Sequence, residues 1–161
     1  MTDLVEIRNA RRQDRAALLR MWVDLVEYHR GLDAALPVPA ELERGLRQQI
    51  DRGTELASHQ LQVAETGPGL IGFSLSEAVP LPSGKSGVPA DGWIHELWVA
   101  PAWRRGGLGS RLVAGALSFL RANGVERISV RVEALNRPGL DFWRGRGFAE
   151  RARILERDAS P

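Results

Sequence analysis

The stretch from His95 to Arg111, HELWVAPAWRRGGLGSR, holds the residue types and spacing best suited to chemistry. A hydrophobic run leads into Arg104-Arg105-Gly106-Gly107-Leu108-Gly109, and an amphipathic pattern follows. Glycine lets a backbone take positive φ and approach a ligand closely. The first turn of a helix offers unpaired N–H groups and the positive end of the helix dipole. Two arginines add fixed charge with forked donors. Together these make a cradle for a phosphate or pyrophosphate. Two common cradles are excluded. A Walker loop needs Gly-Lys-Ser/Thr, and the only lysine, Lys85, lies elsewhere. A dinucleotide fingerprint needs GxGxxG, but after Gly107 and Gly109 the third position is Leu112. The pattern that survives is Arg104-x-x-Gly107-x-Gly109 behind a strand.

The elements that must position this loop follow from periodicity. Leu4 to Arg8 alternates as a strand. Leu18, Met21, Trp22, Leu25, Val26 and His29 form one helical stripe that ends near Gly31. Pro39 opens a second helix, with stripe Leu42, Leu46 and Ile50, which Gly53 is expected to stop. Leu61–Glu65 and Leu70–Val79 read as a hairpin about Gly67-Pro68-Gly69. Pro80 to Gly92 is a loop rich in Pro, Gly and Ser. Trp93–Val99 is a strand, and Leu108, Leu112, Val113, Ala116 and Leu120 mark a third helix closed by Asn123-Gly124. Ile128, Val130 and Val132 alternate, Asn136–Arg146 is a short helix, and Phe148–Arg157 reads as a last strand. The expected order is β-α-α-β-β-β-α-β-α-β, one domain over 1–157 with 158–161 as a tail.

Composition narrows the class. A chain of 161 residues suits one domain. No cysteine is present, which excludes disulfides, thiolate metal sites and cysteine nucleophiles. The longest uncharged stretch, Thr66 to Ser76, is eleven residues, against about 20 for a membrane span. The N-terminus is charged from its third residue and has no apolar signal core. A soluble cytoplasmic protein, with no membrane partner, is expected. The net charge is only +2. The sequence pI near 9.9 reflects 21 arginines and one lysine, since arginine keeps its charge to very high pH. These arginines are scattered from Arg8 to Arg157, which argues against a nucleic-acid surface.

The surviving pattern resembles the acetyl-CoA site of the GCN5-related N-acetyltransferases. The resemblance covers nearly the whole chain: EIRNARRQDRAALLRMW looks like their first strand and helix, ELWVAPAWRRGGLGSRLV like their fourth strand and pyrophosphate loop, and VRVEALNRPGLDFWRGRGF like their fifth strand and following helix. Asn136, Phe142, Trp143, Gly147 and Phe148 stand where the family has Asn, an aromatic pair and Gly-Phe. The resemblance implies an α/β (α+β) fold: a mixed, mostly antiparallel sheet of six to seven strands, flanked by about four helices, with the fourth and fifth strands splayed. It implies acetyl-CoA as acyl donor and no metal. The backbone of Leu97, Trp98 and Val99 would bond the pantetheine arm. The N–H groups of Arg105, Gly106, Gly107, Leu108, Gly109 and Ser110 would hold the pyrophosphate. Arg104 would bind or brace the loop, and Asn136 would contact the arm.

Acyl transfer to an amine needs a neutral nucleophile. A primary amine of pKa near 10.4 is about 3.4 units too protonated at pH 7, roughly 4.6 kcal/mol against attack. The family often places a carboxylate base in the fourth strand, which points to Glu96 as general base, with an arginine ion pair as its structural alternative. Alternation puts Glu96 on a face with Ile94 and Trp98, and His95 on the other with Leu97 and Val99. One bulge would exchange faces, so His95 is a reserve base. The oxyanion donor is expected among the backbone N–H groups of Trp98 and Val99. Glu133, at the end of the fifth strand, reads as structural. Many relatives carry tyrosine at the position of Trp143, where it protonates the departing thiolate; indole N–H is a donor only and cannot take over that job. Trp143 can still wall the cleft against the cofactor arm.

The family's acceptor pocket borders the first helix, which brings Tyr28 and His29 to the acceptor, together with Trp93; packing on the helix stripe is their alternative. The acceptor is expected to be a primary amine of a small molecule, amino acid or peptide. A polycationic acceptor is not favoured, since no acidic cluster is visible. A non-catalytic acyl-CoA-binding module is the competing reading, favoured by Trp143. RNA association is suggested by the pI alone. A homodimer through the edge of the last strand is left open.

Overall fold

Alternating apolar residues build one five-stranded sheet in the order β1-β2-β3-β4-β5. The strands are β1 Glu6–Asn9, β2 His59–Thr66, β3 Gly69–Val79, β4 Ala90–Val99 and β5 Val125–Val130. The molecule is seen in a computed structural model that describes residues 4–67, 69–79 and 90–157. Pro68, most of the expected loop at 80–92 (with Lys85) and the tail 158–161 lie outside the described residues. The chain falls into two compact units, one through Arg131 and one from Val132; each is described by itself.

In the first unit, β1/β2, β2/β3 and β3/β4 pair antiparallel, whereas β4/β5 pair parallel. A parallel pair needs a crossover, and helix α3, Leu108–Ala122, supplies it. Helices α1, Arg15–Leu32, and α2, Pro39–Glu55, precede the hairpin. Their stripes meet one face of the sheet: Leu18, Trp22, Leu25, Leu46 and Ile50 pack with Leu61, Val63, Phe73, Leu75 and Trp98. Leu108 and Leu112 of α3 pack with Ala64, Ile71, Leu97 and Val99 on the other face. Burying helices on both faces accounts for β2 and β3 being buried at consecutive positions through their middles.

The mixed, mostly antiparallel sheet agrees with expectation, but it has five strands rather than six or seven. The strand expected over Phe148–Arg157 does not form. Its alternation has no buried face to fix it, since the neighbours Ile154 and Leu155 are both exposed, at 63% and 93%. Gly53 also departs from its expected role: α2 runs through it to Glu55. A Cβ at Gly53 would lie 2.7 Å from Leu61 Cβ, so this glycine permits close packing of α2 on β2.

An ion cluster ties β1 to the start of α1. Arg8 Nη1 donates to Asp14 Oδ2 at 2.7 Å, and its other arm bonds Glu65 of β2. The bond from Arg8 holds the buried Asp14 carboxyl below the usual carboxylate range. A group with a depressed folded pKa stabilises the fold above its unfolded pKa and loses that effect as pH falls through the folded one. Asp14→Asn is therefore expected to cost about 1.5–3 kcal/mol at neutral pH, the range for hydrogen bonds to charged groups. The gap to the wild type should shrink below about pH 4. Urea titrations at several pH values check this.

In the second unit, helix α4 spans Arg137–Arg144. Asn136 caps it, its Oδ1 accepting from Gly139 N–H at 3.0 Å.

Candidate active site

The parallel ladder between β4 and β5 ends at Ile94 and Val130. β4 continues to Val99, paired only with β3: Leu75 faces Glu96, Ser74 faces Leu97, Phe73 faces Trp98 and Gly72 faces Val99. From His95 onward one edge of β4 is thus unaccompanied by a strand among the described residues. Trp98 carbonyl lies against Gly72, 2.8 Å from where a Cβ would sit, and Ala100 N–H bonds Ile71 carbonyl at 2.9 Å. Trp98 and Ala100 therefore spend their backbone groups on β3. In a strand the neighbouring residues point theirs the other way, so Leu97 and Val99 present theirs to the open edge. Of the two amides named for the oxyanion, Val99 is the one on that edge.

The β3/β4 register shifts between Leu75 and Ser76, which face Glu96 and Ile94 and leave His95 as the extra residue of a bulge. Glu96 and Trp98 face Leu75 and Phe73, the α1/α2 side of the sheet. His95 Nε2 bonds Glu77 Oε2 at 2.7 Å, and its ring stacks with Trp93 at 6.2 Å and 10°. Trp93 faces Glu77 across the ladder. The simple alternation expected for β4 is broken: Ile94 no longer shares a face with Glu96, and His95 sides with Trp93 rather than with Leu97 and Val99. The bulge thereby gathers an imidazole and a carboxylate, adjacent in sequence, just past the last β4/β5 pair.

Beyond Val99 the chain turns through Pro101–Trp103 into the glycine loop. Arg105 takes φ 65° and Gly107 φ 81°. Gly107 caps α3 without a side-chain bond, and a Cβ there would meet nothing within 4 Å. Arg111 N–H reaches Gly107 carbonyl at 3.1 Å, the first bond of the helix. The N–H groups of Gly107, Leu108 and Gly109 before it have no backbone acceptor among the described residues, as the first turn of any helix requires. They point at the open side of the loop together with the helix dipole, so this head fits a diphosphate. Ser110 is the third residue of α3. Arg104 is a brace: its Nε donates to Val99 carbonyl at 2.8 Å, and its guanidinium lies 4.5 Å from the Trp98 ring and 5.2 Å from that of Tyr28. Arg105 and Gly106 are exposed.

Tyr28 comes to this end of β4, its ring 5.9 Å from Trp98, with His29 beside it at 5.7 Å. Trp93 is 37% exposed. The first unit thus brings together Tyr28, Trp98, Arg104 and the glycine loop. His95, Glu96 and Trp93 lie further back along the same strand. Glu77 is the residue the sequence reading missed; its only signal was a charge within an otherwise uncharged strand. In the second unit, Asn136 is buried at the cap of α4. Trp143 sits edge-on to Phe142 and Phe148, at 5.2 and 5.1 Å. Glu133 carbonyl accepts from Asn136 N–H at 2.9 Å.

Among the described residues no cluster of acidic or histidine side chains could hold a metal, and no helix is long and apolar enough to cross a membrane. Comparison with solved structures finds the same fold. A transcriptional regulator from Bacillus halodurans C-125 matches with a TM-score of 0.74 at 20% identity, over 96% of this chain and 99% of that one. An acetyl transferase from Pyrococcus furiosus, described as putative, matches at 0.73 and 20%, over 96% and 99%. The aminoglycoside N-acetyltransferase AAC(6')-Iy in complex with CoA matches at 0.71 and 16%, over 99% and 98%. A search of curated protein sequences returned no match. A profile of the Acetyltransferase (GNAT) family matches residues 19–148, most of the chain. With a parallel β4/β5 ladder that ends at Ile94 and Val130 and a glycine-headed α3 inside that match, the chain belongs to the GNAT family of acetyltransferases.

Proposed function

We propose that the protein transfers an acetyl group from acetyl-CoA to a primary amine of a small molecule, amino acid or peptide. The observation that supports this is the juxtaposition, in one unit, of a diphosphate-fitting helix head and an unaccompanied strand edge. The N–H groups at 107–109 hold the diphosphate, and the exposed Arg105 adds charge. The pantetheine arm lies along the open edge as an added strand, bonded by the main chain of Leu97, while the Val99 carbonyl stays with Arg104. Val99 N–H receives the oxyanion, where one aimed donor is worth about 2.7–4 kcal/mol. The ammonium proton goes to one of two adjacent groups, Glu96 or His95. Tyr28, His29 and Trp93 border the acceptor. Thiol has a pKa near 8.5, so its anion leaves without a dedicated acid.

The test is a thermal-shift titration with acetyl-CoA, followed by thiol release against a panel of amines. A saturable rise in Tm and release that depends on one class of amine are expected. Tight binding with no release across the panel favours the binding-module reading instead. An unchanged Tm at high acetyl-CoA overturns both.

A further inference from the structure

The reaction needs a proton acceptor beside the unpaired edge of β4, and two side chains just past the last β4/β5 pair, His95 and Glu96, qualify by type. Their surroundings differ. His95 is the bulged residue, the first beyond the last β4/β5 pair. Its side chain is 37% exposed. Nε2 is engaged by Glu77 at 2.7 Å, and Nδ1 has no protein partner among the described residues. A carboxylate accepting from Nε2–H fixes the tautomer in which Nδ1 carries the lone pair. The same carboxylate then faces the imidazolium that forms when Nδ1 takes a proton.

Glu77 is itself held from both sides. It lies on β3 between His59 of β2 and His95 of β4, with His59 Nε2 3.7 Å from Oε1. Ser58 Oγ and His59 Nδ1 are 3.0 Å apart, which orients that second ring. Burial, more than the nearby charges, pushes the pKa of His59 down. A neutral His59 leaves the Glu77 charge to His95. Among the described residues, the charged or titratable groups around the couple are His59 from β2, Glu77 from β3, Glu96 next along β4, and Arg52 from α2, which acts on His59. The Trp93 ring lies nearly parallel to the His95 ring, 10° apart with centroids at 6.2 Å.

We propose that His95 is the general base of the proposed acetyl transfer and that Glu77 is its positioning residue. This rests on the acetyltransferase reading above. His95 Nδ1 takes one proton from the acceptor ammonium, giving imidazolium beside the Glu77 carboxylate. The amine nitrogen forms a bond to the thioester carbon, the carbon–sulfur bond breaks, and the second amine proton ends on the departing thiolate. The imidazolium returns its proton to water. The products are the amide, free thiol and one proton.

The test combines three measurements. Acetyl-CoA affinity by calorimetry should be the same in the wild type, His95→Gln and Glu77→Gln. The kcat/KM of His95→Gln should fall by about 10²-fold or more, the usual contribution of a positioned base. Glu77→Gln keeps a bond to the ring but loses the charge; it should move the acid limb of kcat/KM to lower pH and lower the plateau by about tenfold. Long-range proton–nitrogen spectra, simplified by there being 3 histidines, need no acceptor. They should show His95 protonated at Nε2 in the wild type and as a mixture of tautomers in Glu77→Val. Wild-type protein that binds no acetyl-CoA sinks the function itself. Normal binding with His95→Gln at full rate, or an acid limb erased only by Glu96→Gln, overturns this inference alone. So does a His95 ring spectrum that is the same in the wild type and in Glu77→Val.

Discussion

Gly107→Glu is expected to abolish acetyl-CoA binding while leaving a folded protein. Gly107 caps α3 at φ 81°, and its open side is where the helix-head N–H groups point. An L side chain there pays about 1–2 kcal/mol of left-handed strain. A carboxylate would stand in the space the diphosphate needs, and like charges brought together cost several kcal/mol. A loss of at least 2.7 kcal/mol, about a hundredfold in Kd, is expected by calorimetry. Gly107→Ala separates the two effects, since it keeps the strain and omits the charge. It should lower stability slightly and weaken binding far less. Equal affinity in a folded Gly107→Glu protein contradicts the assignment of this loop.

Phe73→Ala is expected to be the most damaging single truncation of the core. Phe73 is fully buried, its ring centroid 4.9 Å from that of Trp22 on α1. It also faces Trp98 across the β3/β4 ladder. It therefore joins a helix, the central strand and the strand that carries the open edge. Removing a buried phenyl ring costs about 3–5 kcal/mol, from lost burial and from the cavity left behind. That is a large share of the roughly 5–15 kcal/mol that holds a typical domain folded. Urea denaturation should show the midpoint falling accordingly. Leu155→Ala, at a side chain 93% exposed, serves as a control and should move stability by no more than about 0.5 kcal/mol.

How far the sequence could be read depended on whether a feature was local. The strand–glycine–helix junction was legible because each part carries its own chemistry. β4 is rich in apolar residues, Gly107 permits positive φ, and Leu108, Leu112 and Ala116 repeat at helical spacing. The start of α2 at Pro39 was legible for the same reason. Features that depend on a neighbour were not. The bulge at His95 is a register event between β3 and β4, and nothing within β4 announces it. Gly53 looked like a stop because the proximity of Leu61 is a tertiary fact. The alternation after Phe148 looked like a strand, but periodicity does not supply a partner edge. Glu77 escaped notice because its role arises from His95 on the next strand. The brace made by Arg104 was one of two roles open to it, and only the Val99 carbonyl distinguishes them.

The most direct measurement is a proton–nitrogen correlation titration of the wild-type protein with acetyl-CoA. The account predicts that the backbone amides of Gly106, Gly107, Leu108 and Gly109 shift saturably and together, with those of Leu97 and Val99 following at the same ligand concentration. Saturable binding that leaves these amides in place and moves others, or no binding at all, would contradict it.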